Sequence, residues 1–183
     1  MEPNKLEFIT CDEYEKLQNI YECKTEYSNG IIIMHSDTSI EHNDIVLNIA
    51  SSLKQFLKGS KCKVQTEQIE VIFINDKEEY KYKPDVFIMC EDATRRGQSY
   101  TSAPKVIFEV VSKSTSSHDY ITKLIVYQKF GVLEYNIVEP NGHIVQYSLQ
   151  DGQLRIANTF KDNDTYISTV FPELIIRLVN IFD

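Results

Sequence analysis

The sequence predicts an α/β (α+β) fold: a mixed central sheet flanked by helices, with an antiparallel meander toward the C-terminal end. Three observations lead there. Residues 105–111 are apolar on both strand faces, Ile107 and Val111 on one and Val106, Phe108 and Val110 on the other. That is the pattern of a strand covered on both sides, as a central strand is. A helical pattern from His118 to Phe130 follows, Gly131 stops it, and residues 133–138 return as a strand. Strand, helix and strand in so short a span predict a parallel crossover. Asn141-Gly142 and Asp151-Gly152 then mark two hairpin turns, which carry the meander to about Phe160.

The remaining elements follow in order. Thr10-Cys11-Asp12-Glu13 has the capping-box pattern, and Tyr14, Leu17 and Ile20 give a short amphipathic helix. Residues 24–35 read as a hairpin turned at Asn29-Gly30. Across residues 39–58 the apolar spacing is helical, with Ile45, Ile49, Leu53 and Phe56/Leu57 on one stripe, and Gly59 ends it. Residues 63–74 alternate as one long or bent strand through Val64, Ile69, Val71 and Phe73. Asn75-Asp76 opens a turn, the polar residues 77–83 lead to Pro84, and residues 85–90 are strand-like. Residues 91–104 and 112–117 read as loops. On the helix at 118–130, Ile121, Leu124, Ile125 and Gln128 mark one side, and Asp119, Lys123 and Tyr127 fall on another at i, i+4, i+8. The apolar tail, residues 171–182, is expected to dock on the body. No repeat or linker divides the chain, so a single domain over residues 1–183 is expected.

Composition bounds the function. A chain of 183 residues with 42% hydrophobic and 25% charged residues is globular in character. No apolar run approaches the roughly 18 residues that cross a bilayer. The first residues lack the layout of a signal peptide, so a cytoplasmic protein without a membrane partner is expected. Cys11, Cys23, Cys62 and Cys90 are scattered with no CxxC pair. That argues against a zinc site or a disulfide framework, and four reduced thiols are expected. His35, His118 and His143 show no ligand spacing and read as surface residues. The net charge of −8 argues against nucleic acid as a partner, but residues 77–129 carry nine Lys/Arg against seven Asp/Glu. A phosphate-facing surface would come mainly from that third, with Lys81, Lys83, Arg95 and Arg96 among its cations.

One acid stands where an acid does not belong. Glu109 interrupts the doubly apolar strand, and a glutamate is almost never buried unless paired or bound to a cation. Asp85, at the start of the strand after Pro84, is the partner to expect. Two carboxylates on neighbouring strands repel, and a divalent cation relieves the repulsion.

Pro84-Asp85, then Glu109-Val110-Val111-Ser112, then Asp119-x3-Lys123-x3-Tyr127, then Gly131-Val-x-Glu-Tyr135 with Val138-Glu-Pro140 form an ordered series. It resembles the Uma-two family, restriction-endonuclease-like proteins of the PD-(D/E)XK nuclease superfamily. Glu26 before Asn29-Gly30, Met34, and His42 at the head of the long helix resemble that family's opening block. The resemblance covers about residues 10–182. It implies a restriction-endonuclease-like fold and hydrolysis of DNA phosphodiester bonds by metal-activated water. It further implies Mg²⁺, with Mn²⁺ as a substitute, held by Asp85, Glu109 and the backbone carbonyl of Val110. Lys123 would supply the amine beside the site, Glu26 would extend the acidic cluster, and a homodimer is expected for cutting two strands. Two departures stand out. Val111 occupies the position two after Glu109 where the superfamily usually has its lysine, which is why Lys123 is nominated from the next helix. Tyr135-Asn136 and Glu139-Pro140 replace the family's Tyr-Trp and Asp-Pro, and the chain has no Trp.

Other readings compete. A catalytically inactive relative would keep the fold and bind nucleic acid or protein, and a different metal-dependent enzyme would act on a small phosphate ester. Asp119 also fits a helix cap with Ser116, Lys123 an ordinary i, i+4 pair with Asp119, and Tyr127 simple packing.

Overall fold

Two sheets join through residues 83–85, and helices at residues 40–56 and 124–130 cover the sheet that holds residues 106–110. The computed structural model describes residues 8–35, 38–111 and 118–183. The expected loop at 112–117, and with it the Ser116 cap, lies outside the described residues, as do the first seven residues.

α1 (Cys11–Leu17) opens on Thr10, whose hydroxyl accepts from the Glu13 amide while the Glu13 carboxylate accepts from the Thr10 amide. That is the capping box read from the sequence. β1 (Thr25–Ser28) and β2 (Ile31–Met34) form the hairpin. Asn29 and Gly30 turn it with φ of 44° and 101°, both left-handed, as a tight two-residue turn requires. α2 (Ile40–Phe56) starts at Ser39, whose side chain accepts from the His42 amide, and buries Ile45, Val46, Ile49 and Leu53.

Residues 63–74 are two strands rather than one. β3 (Cys62–Thr66) and β4 (Val71–Ile74) belong to different sheets. A turn closed by the Ile69 amide on the Thr66 carbonyl separates them. The side-chain parity explains the break: Val64 is even and Ile69, Val71 and Phe73 are odd, so one continuous strand would put the two groups on opposite faces. The polar stretch at 77–83 holds a further strand, β5 (Glu79–Tyr82), between β1 and β4. Buried Lys81 is tolerated there because it pairs with Glu15.

β6 (Val86–Cys90) pairs antiparallel with β3. Cys62 and Cys90 are direct ladder partners and form a disulfide, so two of the four thiols expected to be reduced are cross-linked. Their pairing depends on register between strands 28 residues apart, which spacing along the chain does not reveal. β7 (Arg95–Arg96) and β8 (Ser99–Tyr100) form a short antiparallel pair within the expected loop.

β9 (Val106–Val110) lies between antiparallel β6 and parallel β10 (Glu134–Glu139), the central position and crossover that the sequence predicts. Between them, a π-helical turn (His118–Lys123) runs into α3 (Leu124–Phe130), which Gly131 ends in the left-handed conformation. β11 (His143–Gln150) and β12 (Gln153–Phe160) complete the antiparallel meander. The strand order is therefore β12-β11-β10-β9-β6-β3 in the central sheet and β2-β1-β5-β4-β8-β7 in the second. The central sheet with its helices and meander agrees with the expected fold class; of the second sheet, the sequence predicts the hairpin and the strand at residues 71–74 but not β5, β7 or β8.

The core has two halves. Val106, Phe108 and Val110 pack with Ile45, Ile49 and Leu53 of α2, and Ile107 and Val111 pack with Val126 and Tyr127 of α3. Each such buried side chain contributes about 1.5–3 kcal/mol. Ile121 and Ile125 on the other side of the helix are exposed, whereas Asp119, Lys123 and Tyr127 face inward. The usual amphipathic arrangement is reversed where the buried acids need a cation.

β13 (Thr165–Ile167) and β14 (Ile175–Arg177) pair with each other, and α4 (Val179–Phe182) docks on α2, with Asn48 Nδ2 donating to the Ile181 carbonyl at 3.2 Å. The tail is therefore attached as expected. Its anchor is buried Glu134 on β10. This carboxylate accepts from Asn136 Nδ2, Ser168 Oγ, the amide and hydroxyl of Thr169, the Val170 amide and the Tyr166 hydroxyl. Among the described residues, no helix is long and apolar enough to cross a membrane.

Candidate active site

Val86 lies opposite Phe108 in the β6–β9 ladder, so the next residues along are Asp85 and Glu109. The Asp85 amide lies 3.4 Å from Glu109 Oε2, and the Val110 amide donates to Asp85 Oδ2 at 2.9 Å. Both acids are buried, with 4% and 2% of their surfaces exposed. The Val110 contact recorded at the site is thus made by its amide, toward Asp85.

The π-helical turn brings in the amine. Lys123 Nζ lies 2.9 Å from Glu109 Oε1, 3.3 Å from Glu26 Oε2 and 3.3 Å from Asp119 Oδ1. Tyr127, one α-helical turn further on, donates to Glu109 Oε1 at 2.7 Å. Glu26, in β1, also accepts from the Lys83 amide at 2.7 Å and contacts His35 Nε2 at 3.0 Å. Glu26, Asp85, Glu109 and Lys123, far apart in the chain, therefore meet in one buried cluster. Asp119 and Tyr127 take part as well, beyond the capping and packing roles open to them on sequence.

The electrostatics follow from crowding carboxylates away from water. Burial pushes the Glu109 pKa up to about 8; Lys123 opposes this, while Asp85, Asp119 and Glu26 add to it. Burial would also raise Glu26, but Lys123, His35 and Lys24 outweigh it and hold the carboxyl well below its usual range. Asp85 is likewise lowered against its burial, chiefly by Lys24 and then His42. For Lys123, burial pulls the pKa down, yet Glu109, Glu26 and Asp119 hold it well above the ordinary lysine value. At neutral pH the cluster has one acid that readily holds a proton and a lysine that keeps its own.

Sequence reasoning missed three neighbours. Lys24 Nζ donates to Asp85 Oδ1 at 2.9 Å and lies 3.8 Å from Glu67 Oε2. Glu67 is in the turn between β3 and β4, and His35 sits just past β2, hydrogen-bonded to the Lys24 carbonyl through its amide. Lys24 and Glu26 share a strand face at i, i+2, a usable signal. Glu67 has none, because the alternation of residues 63–74 predicts strand where the turn that aims it lies. His118 is not a surface residue: its ring meets the Tyr82 ring edge-on at 5.7 Å, and burial, followed by Lys123, pushes its pKa down to about 4.

The cations suggested for a phosphate surface are largely occupied. Lys81 pairs with Glu15, Arg96 with Glu79 at 3.0 Å, and Arg95 lies over the Tyr100 ring. A divalent cation fits the donor chemistry of the site. Ligand atoms of His42, Glu67 and Asp85 all lie within 4.8 Å of one another, and the carboxylate oxygens are hard donors.

A family model, Uma2, described as "Putative restriction endonuclease", matches residues 11–179. Over 119 residues the chain is 25% identical to the "Uncharacterized protein slr1290" of Synechocystis sp.; the match covers 65% of this chain and 62% of that relative, so the chain spans less than two-thirds of the relative's length. Its fold is similar to that in the crystal structure of a "putative nuclease belonging to DUF820" from Anabaena variabilis. The TM-score is 0.76 at 19% identity, covering 95% of this chain and 97% of the other.

Proposed function

Because the chain belongs to the Uma2 family, we propose that it is a metal-dependent endonuclease hydrolysing DNA phosphodiester bonds. The observation that carries this reading is the meeting of Asp85 and Glu109 at the end of two central strands, with the Lys123 amine 2.9 Å from Glu109. Asp85 and Glu109, with the Val110 carbonyl, would hold Mg²⁺ or Mn²⁺. The cation supplies Lewis acidity that polarises a phosphate oxygen and acidifies water. In the reaction, water oxygen forms a bond to phosphorus and one P–O ester bond breaks, leaving a phosphate monoester and an alcohol.

The chain's own groups divide the remaining work. Lys123 keeps its proton, so it acts as a donor that steadies charge on the phosphate rather than as a base. Glu109 would act as a ligand of the cation, its carboxylate oriented by the Lys123 amine and the Tyr127 hydroxyl. Its Oε1 is engaged by Lys123 and Tyr127, which leaves Oε2, 3.4 Å from the Asp85 amide, to face the cation. Glu26 stays ionised and holds the Lys123 amine in place. DNA as partner and a symmetric homodimer for cutting both strands belong to this reading.

Supercoiled plasmid incubated with Mg²⁺ or Mn²⁺ tests it. Nicked and linear products are expected, lost in Glu109→Gln with the circular dichroism spectrum retained. Folded protein that neither cleaves DNA nor binds a dication would replace this reading with a non-catalytic binding domain.

A further inference from the structure

Asp85 has a second set of neighbours besides Glu109 and Val110. His42 Nε2 lies 3.6 Å from Asp85 Oδ2, and Glu67 completes a group whose ligand atoms all fall within 4.8 Å of one another. They come from the first turn of α2, the β3–β4 turn and the crossing into β6, so convergence is a product of the fold. Ligand atoms at about 2.0–2.2 Å from one first-row dication lie about 3 Å apart when adjacent in its shell, so the three must draw in by about 1 Å to share an ion.

We infer that His42 and Glu67 join Asp85 as cation ligands, and that the imidazole makes the site select a Mn²⁺-class dication over Mg²⁺. The inference rests on Asp85 being a metal ligand, as proposed above. Mg²⁺ favours an all-oxygen shell, whereas imidazole suits the later first-row metals, so one nitrogen donor biases the site away from Mg²⁺. The local field already favours positive charge: the Lys24 ammonium lies between two of the three donors, 2.9 Å from Asp85 and 3.8 Å from Glu67. His42, Glu67 and Lys24 are only partly buried, which gives an ion a route in and Lys24 a route out. Lys24 is therefore the cation's competitor at this site, and its flexible stem lets it yield.

Direct binding of Mn²⁺ and Mg²⁺ to the whole protein, by calorimetry and by the Mn²⁺ paramagnetic resonance signal, tests the inference. Wild type is expected to bind Mn²⁺ more tightly than Mg²⁺. His42→Gln should weaken Mn²⁺ on the order of tenfold or more while changing Mg²⁺ little. Lys24→Met should tighten both several-fold. Glu67→Gln weakens both and serves as the second variant if His42→Gln disturbs the start of α2, which thermal unfolding would reveal. An unchanged Mn²⁺/Mg²⁺ preference in His42→Gln overturns the inference. If binding is also lost in Glu109→Gln, the nuclease reading survives that result; a wild type that binds neither ion sinks both.

Discussion

The ammonium of Lys123 and the carboxylate of Glu109 lie 2.9 Å apart with 1% and 2% of their side chains exposed. Lys123 also reaches Glu26 and Asp119, so one cation answers three carboxylates from β1, β9 and the π-helical turn. The catalytic proposal and the stability of the interior rest on the same nitrogen.

Replacing that nitrogen leaves buried acids without a counter-charge. Lys123→Met is expected to cost about 3–5 kcal/mol in urea unfolding, the usual penalty for removing one partner of a buried ion pair. Adding Glu109→Gln to it should restore part of the loss. If the single and double variants were equally unstable, Lys123 would not be answering Glu109.

The pH dependence has two limbs of opposite sign. Glu109 is raised from 4.5 to about 8, so its contribution is fully present below 4.5 and is lost as pH rises through 8. His118 is lowered from 6.5 to about 4, so its contribution is present above 6.5 and is lost as pH falls through 4; Asp85 and Glu26, also lowered, act in the same direction on further acidification. Unfolding free energy measured from pH 4 to pH 9 should therefore decline toward both ends. Between about 4.5 and 6.5 the two slopes offset, so Glu109→Gln should abolish the decline above 6.5 and extend the acid limb up to about 6.5.

Glu134 offers a test remote from the chemistry. Its carboxylate accepts from Ser168, Thr169, Val170 and Tyr166, so Glu134→Ala strands several buried donors at about 1–3 kcal/mol each. A loss of at least about 3 kcal/mol is expected. Hydrogen exchange should show the earliest opening at residues 165–177.

Binding to DNA should depend weakly on salt. Arg96, Lys105 and Lys129 already pair with Glu79, Asp92 and Glu78, so a phosphate must displace an internal partner rather than meet a free cation. Each phosphate contact made by a free cation adds about 0.9 to the slope of log K against log salt. A slope no steeper than about −3 is expected for Glu109→Gln protein and a labelled duplex between roughly 50 and 200 mM salt.

Much of this was legible in the residues because burial leaves a pattern. The two-faced strand at 106–110 identified the centre of the sheet, and the acid inside it demanded a partner. Asp85 was recoverable for that reason, whereas Lys123 came only from the family resemblance, since its spacing with Asp119 fits an ordinary helical pair equally well. Glu67 was not, since its direction depends on a turn that only the parity change between Val64 and Ile69 announces. The Cys62–Cys90 link and the six bonds to Glu134 depend on register between distant segments, for which one sequence carries no local mark. The inward face of the helix was misleading for a different reason: isoleucines at 121 and 125 look like core, but the acids beneath claim the opposite side.

Residues 83–85 carry one further consequence. The Lys83 amide grips Glu26 in one sheet, and two residues later Asp85 meets Glu109 in the other. With so little slack between those two anchor points, slippage of either sheet would alter the spacing of the acids almost one for one. The pocket is thus mechanically geared to the whole molecule, and anything that levers the sheets apart, including a bulky guest wedged between them, would loosen its hold on an ion.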